Sequence, residues 1–492
     1  MRAASSAMAT ASKDPLPPDS PASCYYSLSL TVGQHKGMQS NFRFSNPYRR
    51  AIAVAFLLLL GQISLAAQTP AKEQSTPPPV ATQSPSQTQT TPDDAVAPVY
   101  GLQGVLIETL DGRIVSAQAV DQAFNPASSI KLATALVALR NFGPAHRFNT
   151  GFWTDGSVDK ASGQLLGNLY VTGRDPSFHH EHAVMIARQL NSLGIRSVTG
   201  NLIVAPGFTM NFNWSARSSG ESLYDTLDAT RRSSEATRAW TYERTALGDL
   251  SSLQTVPSLA VMGEVSVGSA APGAKLLLTH RSSKLTDVLK VLLCYSNNFM
   301  AERIGDSLGG KDAVMRQLVT TFRIPPAELQ FASLSGLGVN RVTPRAMMQI
   351  LQGLRNELQK NKLSPSDIMP VAGIDPGTLE DRFTGPAWQG SVIAKTGTLV
   401  RTDGGASSLV GQMRTKNGDT LLFVIMNQRG NVVRFRSNQD LLVMQVQNSR
   451  GGPKAFNYKP LVLPMRLADT ESVSGSPNGE PASGLQAHPN SP

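Results

Sequence analysis

NPASSIKLATALVALRNFG, residues 125–143, is the stretch on which the reading of this chain turns. Asn125-Pro126-Ala127 opens it, apolar residues recur at helical spacing, and Gly143 closes it, which predicts a helix. Ser128 and Lys131 stand three apart near its start, so their side chains are neighbours on one helical face. A serine hydroxyl is a poor nucleophile until a base removes its proton. Lysine can be that base only where burial or a second cation lowers its pKa. The first turn would also aim backbone N–H groups and the positive end of the helix dipole at a developing oxyanion. Taken alone, Ser-x-x-Lys is frequent by chance.

Two later stretches supply what that pair lacks. Ser296-Asn297-Asn298 lies where one apolar helix gives way to another. In an extended turn Ser296 and Asn298 can face the same way, the hydroxyl to relay a proton and the amide to hold a substrate carbonyl. The same residues would equally serve as a helix cap. Lys395-Thr396-Gly397-Thr398 follows the β-branched run Ser391-Val392-Ile393, which reads as an edge strand. Lys395 could be the second cation near Lys131. Lys395 and the hydroxyls of Thr396 and Thr398 suit a carboxylate. Gly397 leaves room for a substrate along the strand, and the Thr398 N–H can complete an oxyanion hole with that of Ser128. The plain alternative is a solvated strand lysine.

The rest of the chain frames these motifs. Of 492 residues with a formal charge of +10, residues 1–67 contribute +4, leaving +6. That suits an anionic polymer or surface. Without basic runs interleaved with aromatics it does not suggest nucleic acid. AIAVAFLLLL at 51–60, behind Arg49-Arg50 and before a small-residue exit, reads as a secretory signal too short to span a membrane comfortably. Residues 1–67 are therefore leader and signal, with Met38 an alternative start. Residues 68–97 form a disordered Pro/Gln/Thr/Ser spacer, and 467–492 a similar tail. Cys24 and Cys294 are the two cysteines, and Cys294 in an apolar run reads as a buried small hydrophobe. Asp111-Gly112 and Lys416-Asn417-Gly418 mark hairpins near the two ends of the body. The strands and helices of 98–158 and 282–466 should therefore share one sheet, with a mostly β insertion at 159–281. His179-His180-Glu181-His182 looks like a metal cluster. Consecutive ligands before a helix seldom converge on one ion, so a helix start is expected and no metal.

The three motifs, in this order, are the set shared by penicillin-binding proteins and serine β-lactamases. NPASSIKLATALVAL, GRDPSF at 173–178, CYSNNFMAERIG, SGLGVNRVTP at 335–344, MPVAGIDPGTLEDRF at 369–383 and VIAKTGTL at 392–399 resemble the D-alanyl-D-alanine carboxypeptidase/endopeptidase family, the class C low-molecular-mass penicillin-binding proteins. The resemblance implies an α+β penicillin-recognising domain, an antiparallel sheet flanked by helices, with an insertion between the first two motifs. It also implies a periplasmic or envelope serine DD-peptidase acting on peptidoglycan stem peptides without a cofactor, with at most peripheral membrane contact and β-lactams as inhibitors. Ser128, Lys131 and Ser296 would then be catalytic, and Asn298, Lys395, Thr396, Gly397 and Thr398 would bind substrate. The 168 residues between Ser128 and Ser296, and the absence of Glu-x-x-Leu-Asn between Asn298 and Lys395, disfavour a β-lactamase. Two departures stand out. The family's Asp-Gly-Ser-Gly-Leu-Ser appears as Ser333-Leu334-Ser335-Gly336-Leu337-Gly338, and its Trp/Asp/Tyr-rich stretch is not recognisable in 208–260. They keep open a catalytically impaired wall-peptide or β-lactam binder and, further off, a lactamase or esterase.

Overall fold

Two runs far apart in the chain, LQGVLIET and TLLFVIMNQ, lie side by side in one sheet. The computed structural model describes residues 101–246, 248–249, 256–460 and 462–475. The expected leader, signal and spacer lie outside these residues. In chain order, β1 (Leu102–Thr109) and β2 (Ile114–Gln118) form the hairpin expected at Asp111-Gly112. A 3-10 turn over Ala127–Ile130 leads into α1 (Lys131–Phe142), which Gly143 closes through an N–H bond to Leu139 O. Then come β3 (Asn149–Thr154), β4 (Leu169–Gly173), α2 (His180–Ser192), β5 (Leu202–Val204), α3 (Ala216–Leu227), α4 (Ser234–Ala246), β6 (Val265–Val267) and β7 (Lys275–Arg281). The chain continues through α5 (Leu285–Tyr295), α6 (Asn298–Ser307), α7 (Gly310–Thr320) and α8 (Pro344–Lys360). It ends with β8 (Val392–Leu399), β9 (Ala406–Arg414), β10 (Thr420–Gln428), α9 (Val432–Asn448), α10 (Leu463–Ala468) and β11 (Glu471–Ser474).

The central sheet runs β8-β9-β10-β1-β2, antiparallel throughout. Its middle strands are apolar without alternation because both faces are covered. On β10, Leu422, Val424 and Met426 join a core with α1, α5 and α8, while Leu421, Phe423 and Ile425 face the other way, toward Val443 of α9. This is the α+β arrangement expected, and it leaves β8 as an edge strand.

The second sheet runs β6-β5-β4-β3-β7-β11 over its own core. It corrects two expectations. The stretch 159–281 is not mostly β, since α2, α3 and α4 belong to it, and its sheet borrows β3 and β11 from outside that range. The tail expected over 467–492 begins with structure. Glu471–Ser474 pairs with β7, and the buried Arg147 guanidinium holds it by bonding Asp469 O and pairing with Glu471 at 3.1 Å. That guanidinium, together with pairing to β7, outweighs the polar composition of the strand.

Candidate active site

Ser128 sits in the 3-10 turn that feeds α1, one step ahead of the regular helix, and is only partly buried. Ala127 before it adopts φ 46°, a left-handed conformation that costs a non-glycine residue about 1–2 kcal/mol. Lys131, the first residue of α1, is fully buried. Its Nζ lies 2.9 Å from Ser128 Oγ and 2.8 Å from Asn298 Oδ1, and it donates to Ser335 O. Burial is the main cause that drives the Lys131 pKa well below the usual lysine range. The charge of Lys395 adds to that effect, and Glu302 opposes it. Asn298 Oδ1 and Ser335 O can only accept, so each takes an N–H. In the neutral amine the remaining position, toward Ser128, is the lone pair.

Ser296 ends α5 in the left-handed region (φ 56°, ψ 41°), and Asn297 caps α6 by accepting from Met300 N. The capping role therefore falls to Asn297 and leaves its two neighbours for the site. Asn298 faces Lys131, whereas Ser296 Oγ accepts from Lys395 Nζ at 2.8 Å. Lys395 is fully buried, donates also to Thr396 O at 2.7 Å, and is lowered by burial to about 7. It is neither a solvated strand lysine nor a cation open to the cleft. It stands behind Ser296.

The edge of β8 faces the site. Val392 O and Ala394 N bond outward, to Ala372 N and Pro370 O. The period of two then turns the Thr396 and Thr398 backbone to the same open edge, beyond the reach of β9. Gly397 corrects an expectation. A Cβ there would meet Ser408 Oγ at 2.3 Å and Pro126 O at 2.5 Å, so its missing side chain admits the turn that carries Ser128, not a substrate.

The altered stretch 333–338 packs directly under the nucleophile. Ser335 O receives Lys131, and Ser335 N donates to Glu302 Oε1 at 2.7 Å. Ser333 Oγ accepts from Gly336 N at 3.1 Å, the turn-closing bond that an aspartate side chain makes, and donates to Leu337 O at 2.8 Å. Gly336 has φ +91°, and a Cβ on it would lie 2.2 Å from Ala127 O.

These parts border a cavity of about 400 Å³ whose lining includes Ser128, Ser296, Thr396 and Thr398. Sequence reasoning missed further lining residues: Arg382, Val433, Arg436 and Asp440. Outside that lining, Trp214 packs edge-on against Phe299, the residue after Asn298 in the chain, at 4.8 Å. A buried node, Lys290 Nζ to Asp375 Oδ2 at 2.5 Å with Tyr458 on Oδ1 at 2.7 Å, ties α5 to the loop that leads to Arg382. Cys294 is buried and its thiol is pushed up to about 12 by desolvation. The rings of His179, His180 and His182 bond Ser177 O, Thr226 Oγ1 and Leu467 O, and His179 with His182 form the box that starts α2.

Residues 100–220 and 228–446 match the family described as D-Ala-D-Ala carboxypeptidase 3 (S13). A carboxypeptidase of Mycobacterium tuberculosis is 33% identical over 185 residues, which are 34% of this chain and 38% of that protein. The chain thus aligns to little more than a third of that relative. A D-alanyl-D-alanine carboxypeptidase of an Actinomadura species is 25% identical over 440 residues, 68% of this chain and 80% of that protein. Among solved structures, a predatory endopeptidase of Bdellovibrio bacteriovorus, acylated by penicillin G and bound to an immunity protein, superposes with a TM-score of 0.64 at 22% identity. It covers 76% of this chain and all of its own. At that identity the likeness speaks for the fold.

Proposed function

The chain belongs to the D-Ala-D-Ala carboxypeptidase 3 (S13) family, and from that premise we propose an exported serine DD-peptidase. It would cleave the terminal D-Ala-D-Ala bond of peptidoglycan stem peptides, and the peptide cross-link where it fits, through an acyl-enzyme on Ser128. One observation carries the reading: a buried lysine amine is held between two acceptors with its remaining valence 2.9 Å from a cleft-facing serine hydroxyl.

Ser128 Oγ bonds the carbonyl carbon of the penultimate D-Ala as Lys131 Nζ takes its proton. The carbonyl oxygen gathers the electron pair, facing the N–H groups of Ser128 and Thr398. The C–N bond then breaks. Ser296 Oγ accepts from Lys395, which leaves its own proton to give to the departing amine and Lys131 to replace it. Asn298 has Oδ1 on Lys131 and keeps its amide N–H for a substrate carbonyl. Thr396 and Thr398 receive the leaving group, with Lys395 behind them. Water hydrolyses the serine ester by the same proton path in reverse, so serine, lysine and water suffice.

Export rests on the leader's basic flank and short apolar run. Among the described residues no helix is long and apolar enough to cross a membrane. The departure at 333–338 motivates a second reading, an impaired binder of the same fold. The Ser333 turn, which keeps Ser335 O on Lys131, favours turnover over it. The test is fluorescent-penicillin labelling of the wild type and of Ser128→Ala, with D-Ala release from a pentapeptide followed alongside. The proposal expects label that S128A loses, and D-Ala release. No label on the wild type sinks the acyl-enzyme, label without D-Ala release supports the binder, and fast loss of label with penicillin turnover supports a lactamase.

A further inference from the structure

A peptide whose leaving group carries a free carboxylate needs a cation at the cleft, and Lys395 is not placed to supply it. Its Nζ is buried and occupied by Ser296 Oγ and Thr396 O. Two arginines line the same cavity. Arg382 is already engaged. Its Nε lies 3.0 and 3.2 Å from the two oxygens of Asp440, and its Nη2 lies 2.5 Å from one of them. Arg436 stands one turn before Asp440 on α9 and is open to solvent. Its Nη2 donates to Thr398 Oγ1 at 2.8 Å, and among the described residues it has no carboxylate partner of its own. Asp440 acts on it only through space, because its oxygens face Arg382. Asp381 is the remaining acid on the cleft wall.

We infer that Arg436 is a substrate-binding residue whose guanidinium holds the free carboxylate of the leaving group, making the enzyme selective for leaving amines that carry one. This rests on the DD-peptidase reading above. A guanidinium offers a planar fork of donors matched to a carboxylate, and one Nη2 contact leaves the others for the ligand. Thr398 links the two halves of the substrate. Its backbone N–H lies on the open edge toward the oxyanion, and its hydroxyl donates to Gly397 O at 2.8 Å while accepting from Arg436. In a D-Ala-D-Ala peptide the carboxylate is one carbon from the scissile nitrogen. A cation anchored on Thr398 is therefore at the correct end of the bond.

The test compares an N-acylated peptide ending in D-Ala-D-Ala with its C-terminal carboxamide, using the full chain as wild type, Arg436→Gln and Arg436→Lys. The wild type should prefer the acid. R436Q should lower kcat/KM for the acid about 10- to 100-fold, the worth of a charge-assisted pair, and leave the amide within about threefold. R436K should keep part of the preference. Thermal melting and saturating penicillin labelling of Ser128 establish that the variants are folded. Asp381→Asn should retain the acid preference. An R436Q enzyme that keeps the preference, or that loses both substrates equally, overturns the inference alone. So does a D381N enzyme that loses the preference. A wild type that takes no penicillin and cleaves neither peptide overturns the DD-peptidase reading, and the inference with it.

Discussion

Replacing Lys395 with methionine should make the protein more stable at neutral pH while abolishing acylation. Burial lowers the Lys395 pKa from 10.5 to about 7. Between those values the unfolded chain holds a proton that the folded chain has released. Stability therefore rises with pH across that window, and below pH 7 the full cost of burying the amine is present. At about 1.4 kcal/mol per pKa unit, the cost is about 4 kcal/mol at pH 7 and about 2 kcal/mol at pH 9. Methionine removes the cost and fills a similar volume. It also forfeits the bonds to Ser296 Oγ and Thr396 O, about 1 kcal/mol each. K395M should thus exceed the wild type by about 2 kcal/mol at pH 7, with the advantage shrinking to near zero by pH 9. The buried Cys294 thiol, raised to about 12, lowers stability above pH 9 in both proteins alike, so it leaves the gap between them unchanged. Urea denaturation of both proteins at pH 7, 8 and 9 measures the gap, and fluorescent penicillin measures acylation. A variant less stable than the wild type at pH 7, or a gap that does not change with pH, would refute the reasoning.

Gly336→Ala would press a Cβ onto Ala127 O at a φ of +91°, so Ser128 must shift. Acylation should slow by about a hundredfold in a protein that still folds, and a rate within threefold of the wild type counts against a fixed serine turn. Ser333→Ala removes the bond that closes the turn and should cost about 1 kcal/mol in urea together with slower acylation, while Ser333→Asp should restore both. Lys290→Met leaves the Asp375 carboxylate buried without its cation and should cost about 3–5 kcal/mol. The double variant with Asp375→Asn should recover most of that in a thermal melt, and no recovery would mean the pair is not what holds the loop.

Much of the central sheet was legible because each signal is local. An alternating or continuous apolar run between turn residues specifies β1, β9 and β10 without reference to anything distant. The second sheet was less so. Its short strands β5 and β6 lie in the strand-like runs GNLIVAP and GEVSVGS, but α3 and α4 between them were not read as helices, and β11 (ESVS) is polar, held by Arg147 from over three hundred residues away. At the site, Ser128, Lys131, Ser296, Asn298 and Lys395 come together as their motifs implied. The motifs identified the residues better than their partners. Lys395 was read as a carboxylate ligand and instead supports Ser296. Gly397 was read as substrate space and is filled by Pro126 O and Ser408 Oγ. Arg436, in VVRFRSNQD, gives no sign of its place, because a charged residue on an exposed helical face looks the same whether it meets water or Thr398.

The same distinction governs what the departure at 333–338 means. What that stretch supplies to Lys131 is a backbone carbonyl, Ser335 O, and any side chain at that position supplies one. What keeps the carbonyl there is the shape of the turn. That shape depends on a hydrogen-bond acceptor at 333 and on no Cβ at 336. A serine meets the first need as an aspartate would, and Gly336 meets the second. Losing the family's aspartate is therefore a smaller change than losing the glycine, although the charged residue is the more conspicuous in the sequence. Ser333→Asp should leave acylation nearly untouched while Gly336→Ala cripples it, and the reverse ranking would mean that charge at 333 governs Lys131 after all.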